Sequence, residues 1–149
     1  MQIRRANEED IPDMAILWSM LVMDEDNNAC PDIKRWSELQ RSLIPMDIYH
    51  PYVVEDNGKI IGFGTGITAI CYMTGKVYIE GGHMYVHPNH RKGLAGMKLY
   101  KMGLEVAKKA GASFFRRHVP AVNNRMVKRL TNKGHIIKEY TVDEIIGGK

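Results

Sequence analysis

The residues best suited to chemistry lie between Tyr85 and Ala110, YVHPNHRKGLAGMKLYKMGLEVAKKA. A strand-like run ends at Pro88, a basic loop containing Gly93 and Gly96 follows, and an amphipathic helix continues from it. The first backbone N–H groups of a helix lack partners within it, and the helix dipole places partial positive charge at the same end. A loop opening directly into a helix therefore suits a phosphate. Gly93 lets an oxygen approach the backbone, Gly96 keeps the first turn slim, and His90, Arg91 and Lys92 add positive charge at the mouth. The expectation is a phosphate-bearing cofactor held here.

The segment VHPNHRKGLAG also resembles the acyl-CoA pyrophosphate loop of the GNAT superfamily of N-acyltransferases. That pattern is Arg or Gln, two residues, Gly, one residue, then Gly or Ala. His90, Gly93 and Ala95 fit the spacing, with Leu94 between them and the small Gly96 after them. His90 departs from the pattern at its first position, Arg91 comes one place late, and the loop is one residue shorter than the common lead-in. The resemblance implies acetyl-CoA as co-substrate, with its diphosphate on residues His90 to Gly96. It also implies a pantetheine arm hydrogen-bonded to the strand backbone at Met84, Tyr85 and Val86. Asn123 followed by Gly134 resembles the closing segment of the same superfamily, where the Asn touches that arm. His135 stands in place of the usual Phe, and Leu130 occupies the place of a frequent Tyr that protonates the leaving thiolate.

Acyl transfer to an amine needs a neutral nucleophile, stabilisation of the developing oxyanion and a departing thiolate. A free alkylamine has a pKa of about 10.4, so only one in ~2,500 is neutral at pH 7. Glu80, just before a double glycine, is the candidate base because the resembled family often keeps a carboxylate there. A Glu facing solvent or paired with a lysine across the sheet fits the sequence equally. His83 is a second base by its titration range. Backbone N–H groups around Met84–Val86 are the expected oxyanion donors. With Leu130 at the Tyr place, the acid is Tyr85, Tyr140 or water, or none is used, since a thiolate leaves with a pKa of about 8.5.

Other groupings do less. His83, His87 and His90 straddle a strand end and a proline turn without cysteine or further carboxylate, so no metal is expected. No His–Asp arrangement surrounds Cys71, which is not read as a nucleophile. The chain has 149 residues, 44% hydrophobic and 26% charged, with net charge +4. These values suit a single domain over residues 1–149 that binds an anion. No apolar run approaches the roughly 20 residues that span a bilayer. The opening MQIRRANEED has no apolar segment behind its basic residues, and two cysteines form no disulfide framework. The expected setting is cytoplasmic.

The elements that must position these residues follow from periodicity. Ile11, Met14, Ala15, Trp18, Leu21 and Val22 form one helical stripe behind a cap at Asn7 or Asp10. A second helix, from Asp32 to Leu43, turns Ile33, Trp36, Leu39 and Leu43 inward. Trp36 reads as core; contact between Trp36, Asp24, Glu25 or Asp26 and a cationic amine is the functional alternative. Asn57-Gly58 makes a hairpin. Gly62, Gly64 and Gly66 bare one face of the next strand, for a close approach or for bulky residues of a neighbouring helix. Between Val77 and Val86 the apolar parity switches, and Gly81-Gly82 marks a β-bulge. In the resembled family such a bulge helps to separate adjacent parallel strands, admitting the pantetheine arm. The helix from Leu94 to Ala110 buries Met97, Tyr100, Leu104 and Ala107 and stops at Gly111. A strand at Ser113–Val119, a helix at Asn123–Asn132 and final strand material follow. The expected fold is α/β (α+β): a mixed, mostly antiparallel sheet flanked by helices, GNAT-like, with a splayed strand pair at the cofactor site.

The leading functional expectation is an N-acetyltransferase moving acetyl from acetyl-CoA to a primary amine by direct attack in a ternary complex. The acceptor is a small molecule or a protein amine. The alternative is a non-catalytic CoA-binding protein, or one presenting Arg116, Arg117, Arg125, Lys128 and Arg129 to nucleic acid, although no nucleic-acid module is recognisable. Exposed C-terminal strand material allows a homodimer.

Overall fold

The computed structural model describes residues 1–117. The expectations for Asn123, Leu130, Gly134, His135, Tyr140 and the elements after Pro120 lie outside the described residues. In chain order come β1 (Gln2–Arg5), a 3-10 turn (Glu8–Asp10), α1 (Ile11–Glu25), α2 (Ile33–Leu43), β2 (Tyr52–Asp56), β3 (Lys59–Ile70) and β4 (Val77–Val86). A second 3-10 turn (Pro88–His90), α3 (Ala95–Lys109) and β5 (Phe114–Arg117) complete them. The strands lie in the order β1-β2-β3-β4-β5, antiparallel except for the parallel β4–β5 pair. Asn57 and Gly58 take positive φ and turn β2 into β3, as the Asn-Gly step requires.

Two helical layers sandwich this sheet. Met14, Ala15 and Leu17 of α1 and Trp36 of α2 pack against Val53, Phe63 and Tyr85 on one face. Trp36 stacks on Trp18 with centroids 5.1 Å apart and meets Phe63 edge-on at 6.2 Å. Ala95 and Leu99 of α3 pack on Val54, Ile61, Met84 and Val86 on the other face. Trp36 is therefore core. Two expected details change, and one open alternative closes. Ile33 and Leu39 point to solvent, and Gln40 is buried in their stead, accepting a hydrogen bond from the Tyr49 hydroxyl. The buried residues of α3 are Ala95, Leu99, Val106 and Ala107; Met97, Tyr100 and Leu104 are only half-buried. The bare face of β3 is filled by α3 at Gly62 and Gly64, where a Cβ would lie 3.5 Å from Leu99, and by Ile79 of β4 at Gly66, where one would lie 3.1 Å away.

The parity switch in β4 has its structural counterpart. Gly66 and Gly64 of β3 face Gly81 and Met84 of β4, so Gly82 and His83 together oppose Thr65. Before this bulge Ile79 packs on Val106 and Ala107; after it Met84 and Val86 pack beside Leu99. One extra residue thus keeps both halves of the strand against the same helix. Pairing of β4 with β5 is described as far as Gly81 and Arg117; the remainder of the expected splay involves residues outside the described range.

At the N-terminal end Asp10 is buried and receives both guanidinium nitrogens of Arg4, at 2.7 and 2.8 Å. That partner holds the Asp10 pKa below the ordinary carboxylate value. The stability it adds is full above the unfolded value of about 4 and drains as pH falls through the lower folded value. Asp10→Asn should therefore flatten the acid limb of stability below about pH 4, measured as urea midpoint against pH; an unchanged limb contradicts the pairing. A Cβ at Gly62 would also come 3.0 Å from the Tyr85 carbonyl. Gly62→Val should cost about 1–3 kcal/mol in urea unfolding, and an unshifted midpoint would show that the β4 backbone does not press there.

Candidate active site

The phosphate expectation can be followed amide by amide. His90, Arg91 and Gly93 spend their backbone N–H groups on the carbonyls of His87, Pro88 and His90, which folds the 3-10 turn. The Lys98 N–H bonds back to Leu94, where α3 begins. Between them the N–H groups of Lys92, Leu94, Ala95, Gly96 and Met97 have no hydrogen-bond partner among the described residues. No side chain caps this helix start. A run of unpaired amides at the positive end of a fifteen-residue helix is what an anion needs. Ala95, fully buried, pins the first turn against the sheet.

Gly93 and Gly96 matter on their outer side. A Cβ at Gly93 would lie 3.5 Å from the His90 carbonyl, an ordinary contact, and one at Gly96 would meet nothing within 4 Å. Neither glycine is demanded by the fold's own packing.

The strand leading to this loop offers a second set of backbone groups. His87 N–H bonds to the Ile61 carbonyl on β3. Backbone direction alternates along a strand, so Met84 and Val86 turn their N–H and C=O groups to the opposite edge. That edge has no strand partner beyond Gly81 among the described residues. The Val86 carbonyl there accepts from Arg91 Nε at 3.0 Å.

The side chains divide between two places. Arg91 does not extend into the loop mouth. Its Nη2 donates to Asp24 Oδ2 at 2.8 Å, and its guanidinium lies 4.9 Å above the Tyr85 ring. The Tyr85 hydroxyl donates to the same Asp24 oxygen at 2.8 Å. Burial, then this hydrogen bond, pushes the Tyr85 pKa up to about 12. Arg91 and Tyr85 in turn hold the Asp24 carboxyl below its ordinary value. Asp24, read from sequence as part of an acidic loop or as a contact for a cationic amine, is thus drawn to the basic loop by Arg91 and to β4 by Tyr85. Its partner is 67 positions away, and no local pattern signals that pairing.

Glu80 sits on the other side of the bulge. Its Oε2 lies 3.7 Å from Arg116 Nη1 on β5, and the Tyr78 hydroxyl hydrogen-bonds to it, raising the Tyr78 pKa. Arg116 also lies 5.0 Å from the Tyr78 ring, which stacks on Phe114 at 4.8 Å. His83, the bulge residue, is exposed. Its backbone N–H donates to Thr65 Oγ1 at 3.0 Å, while its ring has no hydrogen-bond partner among the described residues. Desolvation lowers its pKa below the ordinary 6.5, against the opposing pull of Glu25. The bulge therefore separates a carboxylate held by Arg116 across the strand pair and by Tyr78 on its own strand from an imidazole whose pKa is lowered by desolvation. His87 and His90 sit edge to face, 5.9 Å apart, on the 3-10 turn. Among the described residues no three or more His, Cys, Asp or Glu side chains gather as for a metal, and no helix is long and apolar enough to cross a membrane.

Comparison with known proteins bears on this arrangement. The model of the acetyltransferase (GNAT) family matches residues 15–132, and the chain belongs to that family. No curated protein matches the sequence. Among solved structures, a transcriptional regulator from Bacillus halodurans C-125 is 14% identical, with 97% of this chain and 99% of that one covered and a TM-score of 0.84. An aminoglycoside acetyltransferase from an uncultured soil metagenomic sample, in complex with sisomicin, is 20% identical over 99% and 96% of the two chains, with a TM-score of 0.73. A ribosomal-protein-alanine N-acetyltransferase from Brucella melitensis biovar Abortus 2308 is 17% identical over 98% and 99%, with a TM-score of 0.72. The expected fold class is thereby borne out, and family membership supports acetyl transfer as the general chemistry.

Because Glu25 raises the His83 pKa while desolvation lowers it, Glu25→Gln should move it further down. Imidazole titration by NMR checks this; a wild-type His83 value above 6.5 would contradict the local environment described here.

Proposed function

We propose that the protein is an acetyl-CoA-dependent N-acetyltransferase acting on a primary amine by direct attack in a ternary complex. The observation that carries the reading is the run of amides at Lys92 and Leu94 to Met97 that have no partner among the described residues, set just beyond the strand edge that presents Met84 and Val86. Those groups fit a diphosphate and an amide-bearing arm in that order. Leu94, Ala95 and Gly96 hold the diphosphate by backbone, with Lys92 and His90 adding charge beside it. Asn123 is proposed to touch the arm. The co-substrate supplies a thioester carbonyl next to the bulge.

The chain's own residues then have separable tasks. His83, whose ring has no partner among the described residues and whose pKa is lowered by desolvation, accepts a proton from the amine directly or through water. Glu80 is the second proposed acceptor, and its pairing with Arg116 and Tyr78 fixes its direction. The Met84 and Val86 N–H groups stabilise charge on the carbonyl oxygen. Tyr85 is the poorer acid for the leaving thiolate, since its proton is committed to Asp24 and its pKa is about 12. Water is the better donor. Asp24 is neutralised by Arg91 and Glu80 faces Arg116, so of the acids first considered for the acceptor, Glu25 is the one left near the bulge to favour a cation.

A screen of amines with acetyl-CoA, read as released thiol, tests the activity; no turnover with any amine, small or peptidyl, together with salt-sensitive nucleic-acid binding would favour the non-catalytic alternative. Gly93→Glu should leave the melting temperature within a few degrees and weaken acetyl-CoA at least about tenfold in calorimetry. Equal affinity removes the loop from the reading. His83→Ala and Glu80→Gln should each lower kcat by about 10²-fold or more if the replaced residue is the base, and a variant keeping the full rate and pH profile is excluded from that role.

A further inference from the structure

Asp24 occupies an unfavourable place for a carboxylate. It lies in the last turn of α1, where the helix dipole presents partial negative charge. Two donors converge on its Oδ2: Tyr85 Oη and Arg91 Nη2, each at 2.8 Å. Arg91 is meanwhile held on two further sides, by the Val86 carbonyl at 3.0 Å and by the Tyr85 ring beneath it. A planar guanidinium fixed by a carboxylate, a carbonyl and an aromatic face has little freedom left. Arg91 is the residue at which the 3-10 turn ends, immediately before the unpartnered amides begin at Lys92.

We propose that Asp24 is a positioning residue for the cofactor loop: acting through Arg91, it ties the end of α1 to the loop entrance and so aims the Lys92–Met97 amides. This rests on the proposed acetyl-CoA reading of that loop. The ion pair is about half exposed, 47% for Arg91 and 50% for Asp24, so it adds little to global stability. What it fixes is direction. Nothing else in the described 3-10 turn ties it to α1: the remaining bonds run within the turn or to β3. The same clamp keeps the Arg91 guanidinium out of the loop mouth and occupies the Val86 carbonyl, so that among the described residues the Val86 N–H and the Met84 groups are the ones left on that edge.

The test is a double-mutant cycle on acetyl-CoA affinity by calorimetry, with melting temperature recorded for each protein. Asp24→Asn and Arg91→Gln should each weaken binding by about fivefold, the scale of a half-exposed ion pair. Their melting temperatures should stay within a few degrees of wild type. The double variant should bind no worse than Arg91→Gln alone, because the two residues act as one unit. Asp13→Asn, the same charge change at the far end of α1, should leave affinity unaltered. Undiminished affinity in Asp24→Asn, or additive losses in the double variant, would overturn the proposal while leaving the cofactor reading intact. If Asp24→Asn does not fold, Arg91→Gln decides alone, and wild-type affinity in that folded variant overturns it. Wild-type protein that fails to bind acetyl-CoA overturns the cofactor reading and this inference with it.

Discussion

The arrangement depends on a single extra residue in the central strand. Without the bulge at Gly82 and His83, β4 could present apolar side chains to α3 along only half its length, because side-chain direction alternates strictly. With it, Ile79 below and Met84 and Val86 above all reach the same helix. That shared contact holds α3 along its whole length, with Ala95 and Leu99 seated at its start. A helix seated at its first turn cannot swing to bury its free amides elsewhere. The bulge therefore sets where those amides emerge, and it places His83 opposite Thr65 at the register shift.

The clamp at Asp24 complements this from the other face. Alone, α3 fixes only the C-terminal side of the basic loop. The 3-10 turn fixes its own backbone through short bonds among residues 87–93 and one bond from the His87 N–H to β3, but a side chain makes its tie to α1. Arg91 spans the β4 edge to reach α1, joining the two helical layers at the point where the loop leaves the sheet. Local hydrogen bonds shape the loop, while one carboxylate and one helix seat decide its direction.

What the sequence disclosed, and what it withheld, follows the range of the interactions involved. The bulge was legible because Val77 and Ile79 share a parity that Met84 and Val86 do not, and a double glycine sits at the switch. The free helix start was legible from Pro88, Gly93 and the apolar period after it. Gln40 was not: its burial depends on Tyr49, which returns to it through a turn, and the bond between them turned Leu39 outward against its hydrophobicity. The glycines of β3 admitted two readings, and the position of Leu99 chose between them at Gly62 and Gly64. Arg91 read as loop charge because its partner lies 67 positions upstream. Periodicity reports which face a residue takes on its own element, not which element will meet it.

Hydrogen–deuterium exchange with and without acetyl-CoA tests the central claim most directly, since it reads the amides themselves. The account predicts that exchange slows at residues 92–97 and at Met84 and Val86 when the ligand is added. Protection confined to other regions of the chain, with those amides exchanging as fast as before, would contradict it.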